Sequence, residues 1–400
     1  MLPAYNDELK SCFVENLRKD GEPMRLFTLG MMGLILSCTE YSNKSDLNSS
    51  SRLQRPIFGV NLPPMAGATN DGAFSPGVYH YDYPFDSFER DEDRHWLLIE
   101  DGEGDGVTSG LGFNGFRIPI NVESSHDLAT LHKIKSYFQQ VGDRGVLCMF
   151  DTNQGDEVSH GNGRINDVND IAQAWAQIHR VFGNSPGVKY EVFNEPFGYH
   201  KAGNKYEYND SDAVKEYLEG AVFPIIEEVD RLLMVAGLEK VPAERWIISG
   251  MGYASHMKPV IRYFDQRPEV FKYDLSYHLY PNYLPEGERE RASFDWLIRD
   301  QIGNVNHKIH ITEYGFQLRY DTGYPGSIFD QPQLPDTPVN HQNANANTAL
   351  AVLDVIGSLH NVAGIYHWHG WDNDDSYSTL SPENNEGAGM LKNIKDALYR

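Results

Sequence analysis

The chain has 400 residues and a formal net charge of −23, from 34 basic and 57 acidic side chains. Such an acidic protein repels polyanions, which argues against nucleic acid and anionic membrane surfaces as partners. Hydrophobic residues make up 40% and aromatic residues 12% of the chain, enough for a sizeable core and for a ligand-stacking cleft. The three cysteines form no CxxC pair and no zinc spacing, so they predict neither a metal site nor a disulfide framework.

The first 38 residues are typical of an export signal. Residues 24–38 read MRLFTLGMMGLILSC, a basic residue followed by an apolar run of about 11 residues, too short to span a bilayer but long enough for a signal peptide. The ending at Cys38 resembles the lipobox of bacterial lipoproteins, in which the cysteine is acylated. Residues 1–23 are either an extended polar leader or precede a true start at Met24. The alternative is a buried helix of the main fold.

A polar, serine-rich stretch at residues 39–55 follows and is typical of a flexible tether. The folded domain is predicted at residues 56–400. We therefore expect an exported protein, either a periplasmic or cell-surface lipoprotein or a secreted one. Membrane contact is expected only through a lipid at Cys38, and the folded domain is expected to be a monomer.

From residue 56 onward, short apolar runs alternate with longer amphipathic ones, a pattern that predicts alternating strands and helices. The predicted strands are residues 57–62, 115–120, 145–151, 188–194, 245–250, 273–280, 308–313 and 364–369. The clearest predicted helices are residues 127–141, 168–182, 212–236 and 345–360. Eight strands separated by helices predict an α/β fold, a single (β/α)8 TIM barrel. A doubly wound open sheet is the alternative, but no glycine-rich dinucleotide fingerprint follows the first strand.

Two of these strands end in a carboxylate. VFNEP at residues 192–196 ends an apolar run on Glu195, and IHITE at residues 309–313 ends another on Glu313. In a barrel, the carboxyl ends of the strands share one face, so the two acids would meet there, as two-carboxylate glycosidases require. The simpler alternative is that each glutamate caps a neighbouring helix.

Several strand ends together resemble glycoside hydrolase family 5, a family of retaining β-glycanases that includes cellulases and mannanases. The matching strings are GVNL at 59–62, FRIPI at 116–120, YEVFNEP at 190–196, YHLY at 277–280, ITEYG at 311–315 and YHW at 366–368. The resemblance covers residues 57–400 and implies a (β/α)8 barrel with one catalytic acid on strand four and the other on strand seven.

The resemblance implies that Glu195 is the acid/base, which needs a pKa raised towards neutrality, and that Glu313 is the nucleophile. The two carboxyl groups of a retaining enzyme should lie about 5–5.5 Å apart. Arg117 is expected to donate a charge-assisted hydrogen bond to the nucleophile and keep it ionised. Tyr280 is expected to donate its hydroxyl to Glu313.

The remaining candidates are expected to contact substrate. Asn194 would bind the sugar 2-hydroxyl, and His278 would contact substrate or the acid/base. Trp368 would form a stacking floor, with Trp371 as the competing candidate. After strand three the family has a histidine, whereas FDTNQ at residues 150–154 has Asn153 there.

Asn153 could replace that histidine as a hydrogen-bonding group but cannot carry a proton, and His126 or His160 could supply the ring from a loop. Long loops at residues 62–87 and 314–339 are expected on the catalytic face. A cluster of acids at residues 371–375 could contact sugar hydroxyls or hold calcium. It lacks the spacing of a calcium loop, which favours a substrate-facing or solvated loop.

The sequence thus predicts a retaining endo-β-glycanase that hydrolyses a neutral polysaccharide by double displacement, with β-1,4-glucan as the first expectation. The alternatives are a β-mannanase or another plant or algal β-glycan hydrolase of the same clan, including an exo-acting one. A non-catalytic glycan-binding lipoprotein is the alternative from a different class. No cofactor and no metal are expected.

Overall fold

The computed structural model describes residues 55–62, 68–70, 73–75, 94, 96–99, 110–150, 163–199, 208–267, 272–303, 305–319, 342–370, 376–381 and 384–400. The predicted signal segment and nearly all of the predicted tether lie outside these residues. So do Asn153, His160, Trp371, the acid cluster at residues 371–375 and most of both predicted catalytic-face loops. A two-stranded hairpin, Ala68–Asn70 with Ala73–Ser75, lies within the first of these loops.

Eight parallel strands close into a barrel, which confirms the predicted (β/α)8 fold. They are β1 (Ile57–Asn61), β2 (Gly115–Ile120), β3 (Gly145–Met149), β4 (Val188–Glu191), β5 (Trp246–Ser249), β6 (Asp274–Leu279), β7 (Ile309–Tyr314) and β8 (Val362–His367). Each pairs with its neighbour in the chain, and β1 pairs with both β2 and β8. All eight predicted strands are therefore present, and their ends differ from the prediction by only a few residues.

The helices pack outside the barrel. Among the described residues, the α-helices of at least five residues are α1 (Val122–His126), α2 (Leu128–Gln140), α3 (Val168–Phe182), α4 (Ser211–Tyr217), α5 (Phe223–Val235), α6 (Lys258–Asp265), α7 (Arg291–Ile298), α8 (Gln342–Ile356) and α9 (Asn385–Leu398). Aspartates begin several of them, because a side-chain carboxylate accepts hydrogen bonds from the unpaired N–H groups of the first turn. Asp127, Asp167 and Asp210 cap α2, α3 and α4 in this way.

The predicted helix at residues 212–236 differs from the prediction. A π-helical turn, Leu218–Val222, separates α4 from α5. Pro224 is the second residue of α5, and a proline cannot donate a helical hydrogen bond, so the wider turn adapts the backbone to it. The predicted strand start at Arg245 also differs, because Arg245 closes the 3-10 turn Ala243–Arg245.

The core lies inside the barrel and between the barrel and its helices. Every residue of β1, β2, β3, β5, β6 and β7 is buried, as expected for strands covered on both sides. Trp175 of α3 packs against Tyr190 of β4 and Trp246 of β5, with ring centroids 5.2 and 5.6 Å away. Among the described residues, no helix has the length and apolar character that crossing a bilayer requires.

Candidate active site

The backbone brings those predicted site residues that the structure describes towards the carboxyl end of the barrel. Asn194 and Glu195 lie just beyond β4, and the exit turn is held because the Asn194 N–H donates to the Met149 carbonyl at 2.7 Å. Glu195 adopts φ +48°, a left-handed conformation that non-glycine residues rarely occupy and that costs about 1–3 kcal/mol. Such strain is typical of functional sites, where the surrounding structure holds it in place.

The Arg117 guanidinium is the centre of the site. Its side chain is fully buried, so each N–H needs a partner. Nε donates to Glu191 Oε2 at 2.7 Å. Nη1 donates to Asn61 Oδ1 at 2.9 Å and to Glu313 Oε1 at 2.7 Å. Nη2 donates to Asn194 Oδ1 at 2.7 Å and to Cys148 Sγ at 3.0 Å. The prediction that Arg117 donates to Glu313 is confirmed, and Cys148 is a buried free thiol.

Glu313 receives donors on both carboxylate oxygens. Arg117 holds Oε1, and the Tyr280 hydroxyl donates to Oε2 at 2.6 Å, as predicted. Burial raises the pKa of Tyr280 well above its usual value, so the phenol keeps its proton. Charge-assisted bonds of this kind are about twice as strong as neutral ones, and they favour the ionised carboxylate.

Glu195 has different neighbours from Glu313. Its Oε1 lies 2.9 Å from His278 Nδ1, so the predicted contact between His278 and the candidate acid/base is present. The strand register also pairs His278 on β6 with Glu313 on β7, next to a β-bulge, so His278 lies beside both acids. The Glu195 side chain is 11% exposed, against 5% for Glu313, so Glu195 is the more accessible of the two acids.

The two carboxyl groups are close together. The ligand atoms of Glu195, His278 and Glu313 all lie within 4.8 Å of one another. This agrees with the separation of about 5–5.5 Å found in retaining glycosidases, whereas inverting ones need about 6.5–9.5 Å to admit a water molecule. The spacing therefore suits direct attack by one carboxylate on the sugar.

The pKa values follow from burial and from charge. Burial raises the pKa of Glu195, a hydrogen bond donated by His278 would lower it, and the negative charge of Glu313 raises it. Burial also raises the pKa of Glu313, but the Arg117 charge and the Tyr280 hydroxyl oppose the rise. Two adjacent carboxyl groups cannot both ionise easily, and the better donors surround Glu313. Arg117 and Tyr280 therefore favour the ionised form at Glu313, whereas no cation among the described residues is bonded to Glu195.

Three buried residues of the site are absent from the sequence prediction. Glu191 accepts from Arg117, Asn61 also accepts from Arg117, and the Thr312 hydroxyl donates to Glu191 Oε1 at 3.0 Å. Glu191 had a detectable signal, since a carboxylate inside an apolar strand needs a buried cation. Asn61 and Thr312 are ordinary strand residues by sequence, and only their neighbours give them a role.

Other predicted residues are placed as follows. Asn194 is buried, and its Oδ1 accepts from Arg117. Trp368 follows β8, is half-buried and donates its backbone N–H to the Tyr314 carbonyl at 2.9 Å, which puts it beside the strand that carries Glu313. His126 is exposed at the end of α1.

Glu195, His278 and Glu313 are close enough in space to share a metal ion. The Arg117 guanidinium, 2.7 Å from Glu313 Oε1, disfavours that use, because a divalent cation would be repelled by a fixed positive charge at this distance. The cation that Glu313 needs is already supplied by the chain.

A closed parallel barrel with two adjacent carboxyl groups at the ends of β4 and β7 defines a retaining glycoside hydrolase of the (β/α)8 type. The sequence matches the family model for cellulase (glycosyl hydrolase family 5) over residues 107–323, more than half of the chain. The protein therefore belongs to glycosyl hydrolase family 5. No curated protein sequence matches it significantly.

Solved structures share the fold at low sequence identity. A family 5 glycoside hydrolase from Prevotella bryantii, in complex with a xyloglucan tetradecasaccharide, is 14% identical with a TM-score of 0.53, covering 86% of this chain and 96% of that one. A family 5 xyloglucanase from Paenibacillus pabuli is 12% identical with a TM-score of 0.50, covering 86% and 99%. A Bacteroides ovatus xyloglucanase is 14% identical with a TM-score of 0.50, covering 88% and 78%.

Proposed function

We propose that this protein is an endo-β-glycanase that cleaves internal bonds of a neutral polysaccharide, with Glu313 as nucleophile and Glu195 as acid/base. The observation that supports the assignment is the unequal surrounding of two carboxyl groups within 4.8 Å of each other. Arg117 and Tyr280 donate to Glu313, whereas the more exposed Glu195 contacts a buried imidazole.

In the first step the Glu313 carboxylate attacks the anomeric carbon, and the bond to the leaving-group oxygen breaks. Glu195 gives its proton to that oxygen, so the departing chain leaves as a neutral alcohol. In the second step Glu195, now a carboxylate, takes a proton from water, and the resulting hydroxide oxygen displaces Glu313. Two inversions at the same carbon give net retention.

The neighbouring residues support these steps. Arg117 and Tyr280 keep Glu313 ionised for attack and stabilise it as a leaving group in the second step. Asn194, whose carbonyl oxygen accepts from Arg117, offers its amide N–H groups to the sugar 2-hydroxyl, a contact that strengthens at the transition state. Trp368 offers a ring for stacking next to β7. Roles for Asn153 and Trp371 remain predictions.

We propose β-1,4-glucan as the substrate, with β-mannan as the second candidate. The family description names cellulases, and the aromatic side chains around a barrel mouth suit the flat faces of β-linked sugars. A test is the release of reducing ends from β-1,4-glucan, xyloglucan, β-mannan, xylan and marine galactans, with the Glu313→Gln variant as background.

Each outcome of that assay supports a different conclusion about substrate or mode of action. Fast viscosity loss with few new ends on β-1,4-glucan supports endo action on the proposed substrate. Faster cleavage of mannan would replace the substrate, and slow viscosity loss with a single short product would replace endo with exo action. Tight binding of a glycan without turnover would favour a non-catalytic binding protein and overturn the proposal.

We also propose export with a lipid at Cys38, on the sequence of residues 24–38 alone. Expression of the full chain in a bacterium fed a labelled fatty acid tests it. Label retained by the wild type and lost in Cys38→Ala is expected, and equal labelling of both would overturn lipidation at this residue.

A further inference from the structure

A chain of three buried groups leads away from Glu195 into the barrel. Glu195 Oε1 lies 2.9 Å from His278 Nδ1, and His278 Nε2 lies 3.1 Å from Thr312 Oγ1. Thr312 Oγ1 in turn lies 3.0 Å from Glu191 Oε1. His278, Thr312 and Glu191 are all fully buried, so the two contacts among them lack competition from bulk water. The position of each proton in this chain decides how His278 acts on Glu195.

The Thr312 hydroxyl has one hydrogen and two possible acceptors, Glu191 Oε1 and His278 Nε2. Glu191 is ionised, because Arg117 Nε is bonded to its other oxygen at 2.7 Å. Burial raises the pKa of Glu191, but the charge of Arg117 outweighs that effect and brings the pKa down to about 2. A buried carboxylate accepts more strongly than a neutral imidazole nitrogen, so Thr312 donates to Glu191.

The oxygen of Thr312 is then an acceptor towards His278, and His278 Nε2 must carry the hydrogen of that contact. Burial lowers the pKa of His278, which favours a neutral ring with only one N–H. A neutral ring protonated on Nε2 has a bare lone pair on Nδ1. That lone pair faces Glu195 Oε1 at 2.9 Å, a distance that needs a hydrogen between the two atoms.

We propose that Thr312, oriented by Glu191, is a positioning residue that fixes His278 as the Nε2–H tautomer, so that Nδ1 accepts the acid proton of Glu195. The inference rests on the proposed role of Glu195 as acid/base. It assigns the proton to Glu195 in the resting enzyme, ready for the leaving group.

The tautomer sets the sign of the effect on Glu195. An Nδ1–H imidazole would donate to the Glu195 carboxylate and stabilise its ionised form, which is the wrong form for an acid. An Nδ1 acceptor stabilises the protonated form instead. The charged groups that face His278 are Glu195, Glu313 with Oε2 at 3.6 Å, Glu191 and Arg117. Of these, Glu195 lies within hydrogen-bond distance of Nδ1.

The first experiment reads the tautomer directly in the wild-type protein. Selective 15N labelling of histidine distinguishes N–H from bare ring nitrogens by chemical shift, and the signal missing from the His278→Gln spectrum assigns His278. At the pH of maximal activity we expect a neutral ring with the proton on Nε2. A proton on Nδ1, alone or together with one on Nε2, would overturn the proposal.

The second experiment uses the pH dependence of kcat/KM. In Thr312→Val the ring loses its Nε2 acceptor, the Nδ1–H tautomer donates to Glu195, and the basic limb should move to lower pH by about one unit. Thr312→Ser keeps the hydroxyl and should keep the wild-type limb. Ser249→Ala is a matched control, since Ser249 Oγ also lies 3.3 Å from Glu191 Oε1 and, in contrast to Thr312, has no bond to His278.

The outcomes separate this inference from the proposed function. An unshifted limb in Thr312→Val, or an equal shift in Ser249→Ala, would overturn the role of Thr312 even if both glutamates are essential. An Nε2–H signal that switches to Nδ1–H in Thr312→Val supports the hydrogen-bond chain. Full activity of Glu195→Gln and Glu313→Gln, by contrast, would refute the proposed function without changing the tautomer measured by NMR.

Discussion

Two charged clusters are buried in this barrel, and they differ in how their charges balance. The lower cluster, Lys189, Asp274 and His310, lies near the start of β4, β6 and β7. Asp274 Oδ2 accepts from Lys189 Nζ and from His310 Nε2. One carboxylate thus faces one ammonium and one imidazole. Burial raises the pKa of Asp274, but these donors outweigh that effect and hold the pKa below its usual value.

The upper cluster, Glu191, Glu195, Glu313, Arg117 and His278, lies near the carboxyl ends of the strands and is not balanced. Three carboxyl groups share one guanidinium and an imidazole whose pKa is lowered by burial. Such an excess of carboxyl groups favours retention of a proton, which is what the general acid of the proposed mechanism requires. The comparison teaches that a balanced cluster needs no proton beyond its own ion pair, whereas an excess of one sign favours a raised carboxyl pKa.

The largest expected effect separates the two acids of the upper cluster. Glu313→Ala and Glu195→Ala should each lower turnover of polysaccharide by about 10⁴-fold, because each removes a group needed in every cycle. With an activated aryl β-glycoside and sodium azide, Glu313→Ala should form the α-glycosyl azide, since azide replaces the nucleophile. Glu195→Ala should form the β-glycosyl azide, since azide replaces the deglycosylating water.

NMR of the azide products measures this. Melting curves of both variants close to that of the wild type are the control for folding. The opposite pairing of variant and anomer would exchange the roles of Glu195 and Glu313.

A second prediction compares the cations of the two clusters. Arg117→Met leaves Glu191 and Glu313 buried without their cation, and should lower the free energy of unfolding by about 3–5 kcal/mol and abolish activity. Lys189→Met leaves Asp274 with the His310 donor, and should cost about 1–2 kcal/mol while kcat stays within a few-fold of wild type. Denaturant titration and a standard activity assay measure both.

Loss of activity in a folded Lys189→Met protein would contradict the division into a structural and a chemical cluster. So would an Arg117→Met protein that unfolds at the wild-type denaturant concentration.

The smallest expected effect concerns pH and stability. The pKa of Glu195 is raised in the folded state from its usual 4.5, so the folded protein binds an extra proton and loses stability as pH rises above that value. Glu195→Gln lacks this penalty. Its melting temperature should equal that of wild type near pH 4 and exceed it by about 2 °C near pH 8.

The contribution of Glu191 to stability depends on pH in the opposite direction. Its pKa is lowered from 4.5 to about 2, so its contribution to stability is present above pH 4.5 and is lost as pH falls towards 2. The melting difference between wild type and Glu191→Gln should therefore shrink on acidification. A pH-independent difference for either variant would show that its carboxyl group is not perturbed as described.

Much of the site could be predicted because the ends of the strands in a parallel barrel can be recognised in the sequence. Glu195, Glu313 and Arg117 end or interrupt apolar runs, and the barrel brings such positions to one face. Thr312 and Asn61 could not be predicted, since a threonine and an asparagine in strands have many uses. The split of the helix at residues 218–222 was missed because apolar periodicity continues through a π turn.

The sequence by itself determined the eight strands, the family and the two glutamates, because apolar periodicity and short motifs are local properties of the chain. Only the tertiary structure decided how the charges balance. Glu191, Thr312 and His278 come from three different strands, and the barrel places β4 and β7 across its interior from one another. Which carboxyl group keeps the proton depends on the donors around it in space, and these come from residues far apart along the chain.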